Sequence, residues 1–359
     1  MAFEPMAALG LMSGTSVDGV DAAVSETDGE RIFGFGPRRF HAFGAAEVAA
    51  SKAGLGAWPG DAGREAGAKV VEAAHVEAAA PLPGAVVGFH GQTLNHAPQE
   101  YRTFQIGDGG RLAARLQRPV VWDFRTADVL SGGEGAPLVP VYHRAALTYA
   151  GVREVTAVLN IGGVANVTWV APECGALLAF DTGPGNALLD DLMRARTGAG
   201  MDRGGAMAAE GRVDNGIVAR VLDDPYFARP APKSLDRDAF AWVGAAVAAL
   251  STEDAAATVT AVTAASVAAA VRHMPAPPDR WLLTGGGRRN ATMAAGIAGR
   301  TNAPVAPVEA VGLDGDMLEA EAFAFLAVRV LRGLPTSLPE TTGARLPVSG
   351  GRISRPEKI

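Results

Sequence analysis

Along this chain, apolar runs of strand length keep ending in glycine-rich turns, and that recurrence constrains the fold more than any other feature. Residues 7–12 run into Ser13-Gly14-Thr15-Ser16, and residues 86–89 into His90-Gly91-Gln92-Thr93. Residues 155–161 lead to Gly162-Gly163, residues 176–180 to Asp181-Thr182-Gly183-Pro184-Gly185-Asn186, and residues 280–283 to Thr284-Gly285-Gly286-Gly287. Glycine at a strand end lets a ligand lie against bare backbone, and turn N–H groups can cradle a phosphate. Residues 13–24 and 155–170 share one order, strand then small-residue turn then strand. This weak internal repeat predicts two similar α/β halves. The chain has neither the G-x-G-x-x-G of a nicotinamide site nor the G-K-[ST] of a Walker A loop.

Three polar groups stand out beside these turns. Asp181 is delivered by a strand to a turn that opens a helix over residues 187–197. Leu188, Leu189, Leu192 and Met193 share one face of that helix, and Gly198 ends it. This placement suits an acid or base in a cleft, and it also suits an N-capping Asp in a tight turn. Asp18 and Asp21 follow the first turn and suit Mg²⁺ held mostly through water, or an ordinary polar hairpin. Asp123 and Arg125 close the strand 120–122. Arg125 fits a carboxylate or a phosphate, and equally a salt bridge to Asp123 or Asp128. His90 and His96 lack a third metal ligand nearby, so a polar strand end is the better reading.

Composition narrows the function classes. A length of 359 residues with 48% hydrophobic content is enough for two cores. A net charge of -6 with no long basic run argues against a nucleic-acid partner. The single cysteine, Cys174, excludes an internal disulfide framework. Residues 1–5 carry Glu4 where a signal peptide has a basic region. The uncharged run 255–271 is mostly Ala with Thr and Ser, weak for a membrane span and better as a core helix capped by Ser251. A cytoplasmic protein without a membrane partner is expected. Helices are also predicted at 69–79, 111–117, 141–150 and 317–332, with a loop-like tail after Pro335; Lys233 could touch substrate, with a solvated lysine as the default reading.

Together these motifs resemble the anhydro-N-acetylmuramic acid kinase family. The N-terminal signature is Gly10-Leu11-Met12-Ser13-Gly14-Thr15-Ser16-Val17-Asp18-Gly19-Val20-Asp21. His90-Gly91-Gln92-Thr93, Gln105-Ile106-Gly107-Asp108, Gly135-Ala136-Pro137-Leu138-Val139-Pro140 and Leu159-Asn160-Ile161-Gly162-Gly163 also match. So do Asp181-Thr182-Gly183-Pro184-Gly185-Asn186, residues 230–234, Thr284-Gly285-Gly286-Gly287 and Glu319. The likeness spans residues 8 to about 343. Two positions depart from the family pattern. Glu134 stands where Gln is usual, and Thr126-Ala127 stand where basic residues are frequent.

The resemblance implies the two-domain sugar kinase, Hsp70 and actin fold, ribonuclease H-like, with ATP in a central cleft. Each domain would carry a mixed five-stranded sheet. Residues 1–134 plus about 320–359 would form the first domain and residues 135–319 the second. Gly14 to Asp21 would bind ATP phosphates, with Asp18 toward Mg²⁺ and Asn160, Gly162, Gly163, Gly285, Gly286 and Gly287 completing the nucleotide site. Asp181 and Glu319 would be catalytic. His90, Gln92, Asp123 and Arg125 would join those two carboxylates in binding substrate. The family opens 1,6-anhydro-N-acetylmuramic acid with water and phosphorylates O6, usually as a homodimer, in cell-wall recycling. A kinase of another sugar or amino sugar, or an ATP-gated binding or assembly module, are the alternative readings. The assembly module would need insertions that 359 residues do not offer.

Overall fold

A computed structural model of the chain describes residues 3–14, 17–61 and 64–356. It divides into two compact units, Met1–Gly151 with Asp316–Ile359, and Val152–Gly315.

The first unit is built on strands β1 (Met6–Ser13), β2 (Gly19–Thr27), β3 (Ile32–Ala42), β4 (Val86–Ala97), β5 (Arg102–Ile106), β6 (Val120–Trp122) and β12 (Arg352–Ser354). The spatial order is β12-β6-β4-β1-β2-β3, with β5 paired to β4. β1 to β3 form an antiparallel meander, and β4 and β6 add parallel to β1. The central strands are apolar on both faces, as strands covered by helices must be. Leu9, Leu11, Val87 and Phe89 are buried on one face, and Ala8 and Val86 on the other. Gly10 and Gly88 are neighbours across β1 and β4. A Cβ on Gly10 would stand 1.8 Å from the Ala320 carbonyl oxygen, and one on Gly88 2.1 Å from that of Phe323. The two glycines let the helix Leu318–Leu331 settle onto the sheet backbone, carrying Glu319 in its first turn.

The second unit holds β7 (Thr156–Ile161), β8 (Val164–Ala171), β9 (Ala176–Pro184), β10 (Arg280–Thr284) and β11 (Val305–Pro307). Their order is β11-β10-β7-β8-β9. β7, β8 and β9 form the antiparallel meander, and β10 and β11 add parallel. The core order of the first unit, β6-β4-β1-β2-β3, is therefore repeated strand for strand. The internal repeat expected from the two glycine turns is real. This mixed five-strand arrangement, used twice, agrees with the two-domain fold expected from the family resemblance. The Ala-rich helix Thr252–Ala270 starts at Ser251, whose hydroxyl accepts from Asp254 N–H at 3.0 Å, and is buried along most of its length. Its composition alone would let it cross a membrane; in this fold it is a core helix.

Several expectations are revised. The first sheet has seven strands rather than five, because β5 and β12 extend it. The tail beyond Pro335 is not all loop: Pro339–Thr342 is helical and β12 pairs antiparallel with β6. β9 runs on through Asp181 to Pro184, since Ala165 and Val164 of β8 pair with Gly183 and Pro184. The contact division falls at 151/152 and 315/316. The helix Pro140–Tyr149, beyond the expected boundary at 134/135, packs on β3 and on the helix Leu318–Leu331 of the first unit.

Candidate active site

In the first unit the expected residues gather at the ends of β1 and β6 and within β4, which runs on through His90–Thr93 to Ala97 by pairing with β5 instead of ending there. Ser13 Oγ donates to Gln92 Oε1 at 2.8 Å, and Gln92 Nε2 donates to the Gly14 carbonyl at 3.0 Å. The first glycine turn is thus tied to the β4 motif. Thr15 and Ser16, expected at the phosphates, lie outside the described residues. Val17 is buried with φ 55, and Asp18 is exposed, its carbonyl accepting from Phe43 N–H at 2.9 Å. Gly19, Val20 and Asp21 continue as β2, with Asp21 opposite Met12.

His90 and Arg125 form one unit. Arg125 Nε and Nη2 reach His90 Nε2 at 3.1 and 2.9 Å, and Nη1 donates to the Gly135 carbonyl at 2.7 Å. Neither expected salt bridge of Arg125, to Asp123 or Asp128, forms. Asp123 instead takes Arg352 Nε at 2.9 Å and the Thr126 hydroxyl. Asp128 accepts from Gly135 N–H at 2.7 Å, Thr342 Oγ1 at 2.6 Å and the Ser337 hydroxyl. Burial pulls the Arg125 guanidinium down to about 10, against the charges of Glu319 and Asp128. Burial raises Glu319, and Arg125 partly offsets it. Among the described residues the Glu319 carboxylate has no hydrogen bond or ion pair. A raised carboxylate near a buried guanidinium is the kind of group that takes part in proton chemistry. His90 and Asp123 also line a cavity of about 280 Å³ with Gln105, Trp122, Thr126 and Arg352.

In the second unit three strand ends converge. Asn186 Nδ2 donates to the Ile161 carbonyl at 3.0 Å, and its N–H donates to the Gly162 carbonyl at 2.7 Å. Gly185 N–H reaches the Gly163 carbonyl at 3.0 Å. Gly285 has φ +71, and a Cβ there would stand 2.3 Å from Asn160 Oδ1. The ends of β7 and β10 therefore touch with bare backbone between them, and Gly286 and Gly287 follow in a short turn. The structure brings Asn160, Gly162, Gly163, Gly285, Gly286 and Gly287 together at these strand ends.

Asp181 lies beside this group, half-buried in β9. Leu235 N–H donates to its Oδ2 at 2.8 Å, and its own N–H donates to the Lys233 carbonyl at 2.9 Å. The N-cap of the helix Ala187–Thr197 is Asn186, so Asp181 is not a capping residue. Lys233 is not solvated as its residue type suggests but 4% exposed. Nothing local in the sequence signals that burial, since it depends on the fold of residues 225–235 around β9. Among the described residues no group of three or more His, Cys, Asp or Glu could hold a metal ion. His96 is spent on Thr103 Oγ1 at 2.9 Å and the Glu134 carbonyl at 2.8 Å.

The family model for anhydro-N-acetylmuramic acid kinase matches residues 62–356. A protein of that name from Cereibacter sphaeroides is 58% identical over 359 residues, covering 98% of this chain and 97% of its own. Another from Acidiphilium cryptum is 54% identical, covering 98% of this chain and 99% of its own. One from Ruegeria is 53% identical, covering 98% and 96%. On both counts the chain belongs to the anhydro-N-acetylmuramic acid kinase family.

Proposed function

We propose that this chain is an ATP-dependent kinase that opens the 1,6-anhydro ring of anhydro-N-acetylmuramic acid with water and phosphorylates O6. The products are N-acetylmuramic acid 6-phosphate and ADP, and the step belongs to cell-wall recycling in the cytoplasm, with a homodimer as the working form. Similarity to enzymes of that name along nearly the whole chain, 58% identical in one case, carries the reading.

The chemistry assigns a task to each group. Water attacks C1, and Asp181 takes its proton. The C1–O6 bond breaks, O6 keeps the electron pair and attacks the γ-phosphorus, and ADP leaves. Glu319, whose carboxylate has no hydrogen bond or ion pair among the described residues and feels the Arg125 charge, holds the attacking water. Backbone donors from Gly14 to Ser16 and at Gly163 stabilise the transferring phosphoryl group, while the Gly162 N–H donates to the Val164 carbonyl at 3.2 Å and holds the turn. Asn160 and Gly285 to Gly287 support the nucleotide. His90, Gln92, Asp123 and Arg125 bind the sugar, and the Arg125 guanidinium suits its lactyl carboxylate. Mg²⁺ would be carried mostly by the ATP phosphates and water, with Asp18 as the protein's contribution. The cation would neutralise charge on the transferring group.

Incubation with ATP, Mg²⁺ and the anhydro sugar, read by mass spectrometry, tests the proposal. The product should gain one water and one phosphoryl group. ADP formation without an added water would favour the second reading, a plain kinase of another sugar or amino sugar. Glu134, which accepts from Gln99 at 3.1 Å where the family usually has Gln, is the feature that leaves that reading open.

A further inference from the structure

Asp181, Tyr226 and Lys233 form a closed ring of contacts. Asp181 N–H donates to the Lys233 carbonyl at 2.9 Å. The Lys233 ammonium donates to the Tyr226 carbonyl at 3.0 Å and lies 4.5 Å from the centre of the Tyr226 ring. The Tyr226 hydroxyl donates back to the Asp181 carbonyl. Leu235, two residues beyond Lys233, supplies the N–H on Asp181 Oδ2. One short segment thus grips both the backbone and the carboxylate of Asp181.

Other basic groups converge on the same turn. Arg272 Nη2 donates to the Phe227 carbonyl, and His273 Nε2 stands 2.8 Å from that oxygen and 3.4 Å from Lys233 Nζ. Arg229 approaches the Tyr226 ring at 5.7 Å, and Phe180 of β9 lies 6.0 Å from Lys233 Nζ. Among the described residues no carboxylate pairs with Lys233, Arg229, Arg272 or His273. A buried ammonium without a counter-ion costs stability, and an apolar side chain of similar size would fill the space more favourably. Its retention therefore points to the site it supports. Burial, with Arg272 and Arg229 nearby, lowers Lys233 to about 8.

We infer that Lys233 is a positioning residue for Asp181. Its ammonium fixes the Tyr226 carbonyl and ring, which keeps the Tyr226 hydroxyl on the Asp181 carbonyl and sets the direction of the carboxylate. The inference rests on the reading of Asp181 as the base.

Lys233→Met and Tyr226→Phe, made singly and together, test it with ATP and the anhydro sugar. Each single variant should lose about tenfold to a hundredfold in kcat. Both KM values and ATP affinity should stay within about twofold. Because the two side chains act through one contact, the double variant should lose no more than the worse single one. The wild-type kcat should fall above about pH 8 as Lys233 loses its proton, and Lys233→Met should lack that limb. Full kcat in a folded Lys233→Met, or losses that multiply in the double variant, would overturn the inference. If Lys233→Met does not fold, Tyr226→Phe decides alone: it removes one hydroxyl, and unchanged kcat refutes the ring. Asp181→Asn separates the two levels. Normal turnover there removes the reading of Asp181 itself. An inactive Asp181→Asn beside fully active Lys233→Met and Tyr226→Phe removes only the role of Lys233.

Discussion

Arg125 reaches a single nitrogen of His90 with two of its own, Nε at 3.1 Å and Nη2 at 2.9 Å from His90 Nε2. An imidazole nitrogen that accepts from a guanidinium carries no proton. The His90 proton therefore sits on Nδ1 and goes to the Gly91 carbonyl at 2.7 Å. Burial, then the Arg125 charge, hold His90 well below the usual histidine range. His90 is thus a fixed neutral acceptor that aims Arg125. A lysine at 125 has one nitrogen and cannot reach both His90 and the Gly135 carbonyl in this geometry. Arg125→Lys should raise the sugar KM by at least about tenfold with the ATP KM unchanged. Steady-state kinetics with each substrate varied in turn would check it, and an unchanged sugar KM would remove Arg125 from the substrate site.

Asp181→Asn keeps the shape of the side chain and its acceptor for Leu235 N–H but cannot take a proton. Turnover should drop at least about 10²-fold while ATP affinity stays nearly constant. Kinetics paired with calorimetric ATP titration would measure both. Near-normal turnover would mean the proton goes elsewhere.

Acid stability follows from buried imidazoles. Burial lowers His75 to about 4, His96 to about 4 and His143 to about 3, and His90 is depressed as well. The unfolded chain takes up protons on these four residues near pH 6.5, and the folded chain does not. The unfolded state binds more protons in that window, so stability is full above about pH 7 and is lost as pH falls below the unfolded value. The melting temperature should fall by at least roughly 5 °C between pH 7 and pH 5. Thermal unfolding across that range would show it, and a flat profile would mean these histidines are protonated in the native state.

Local pattern was enough to read the glycine ends of β1, β7 and β10, whereas β4 and β9 run on through their motifs because β5 and β8 pair with them. The turn at Gly285 is visible because only glycine tolerates its positive φ and the close approach of Asn160 and the Ile161 carbonyl there. The helix at Ala187–Thr197 and the Ser251 cap follow from periodicity and capping chemistry. What escaped the sequence depends on distant partners. Asp128 is satisfied by Ser337 and Thr342, 209 and 214 residues away, so its hold on the Gly135 loop has no local sign. Lys233 reads as a surface residue until Pro225–Ala228 and Val271–His273 fold over it. The Asp181 stretch looked like turn because Gly183 and Pro184 break strands in isolation, but pairing with β8 overrides that preference.

Glu319 gives a pH signature. Burial raises its carboxyl above the usual range, while Arg125 works the other way. Holding the attacking water requires the ionised form, so kcat should rise as pH climbs through that raised value. Glu319→Gln should lower kcat and flatten the acid side of the profile. A variant that keeps the same acid limb would assign the titration to another group.

The sharpest test concerns where the oxygen of water ends up. In the anhydro sugar O6 is bonded to C1, so no free hydroxyl exists for a base to activate. A plain kinase mechanism has nothing to deprotonate. Water attacking C1 supplies the new anomeric oxygen and releases O6 with its electron pair, which then takes the γ-phosphoryl group. In ¹⁸O-labelled water the label should therefore appear at C1 of the product and not in its phosphate. Already opened N-acetylmuramic acid should be a poor substrate, because its O6 hydroxyl lacks the coupled bond cleavage that places charge on the nucleophile. Mass spectrometry of the product and of its released phosphate separates the cases. Label in the phosphate would mean that water attacks phosphorus. Phosphorylation of the open sugar as fast as the anhydro form would mean that ring opening and transfer are independent, and Asp181 would then serve as a simple hydroxyl base.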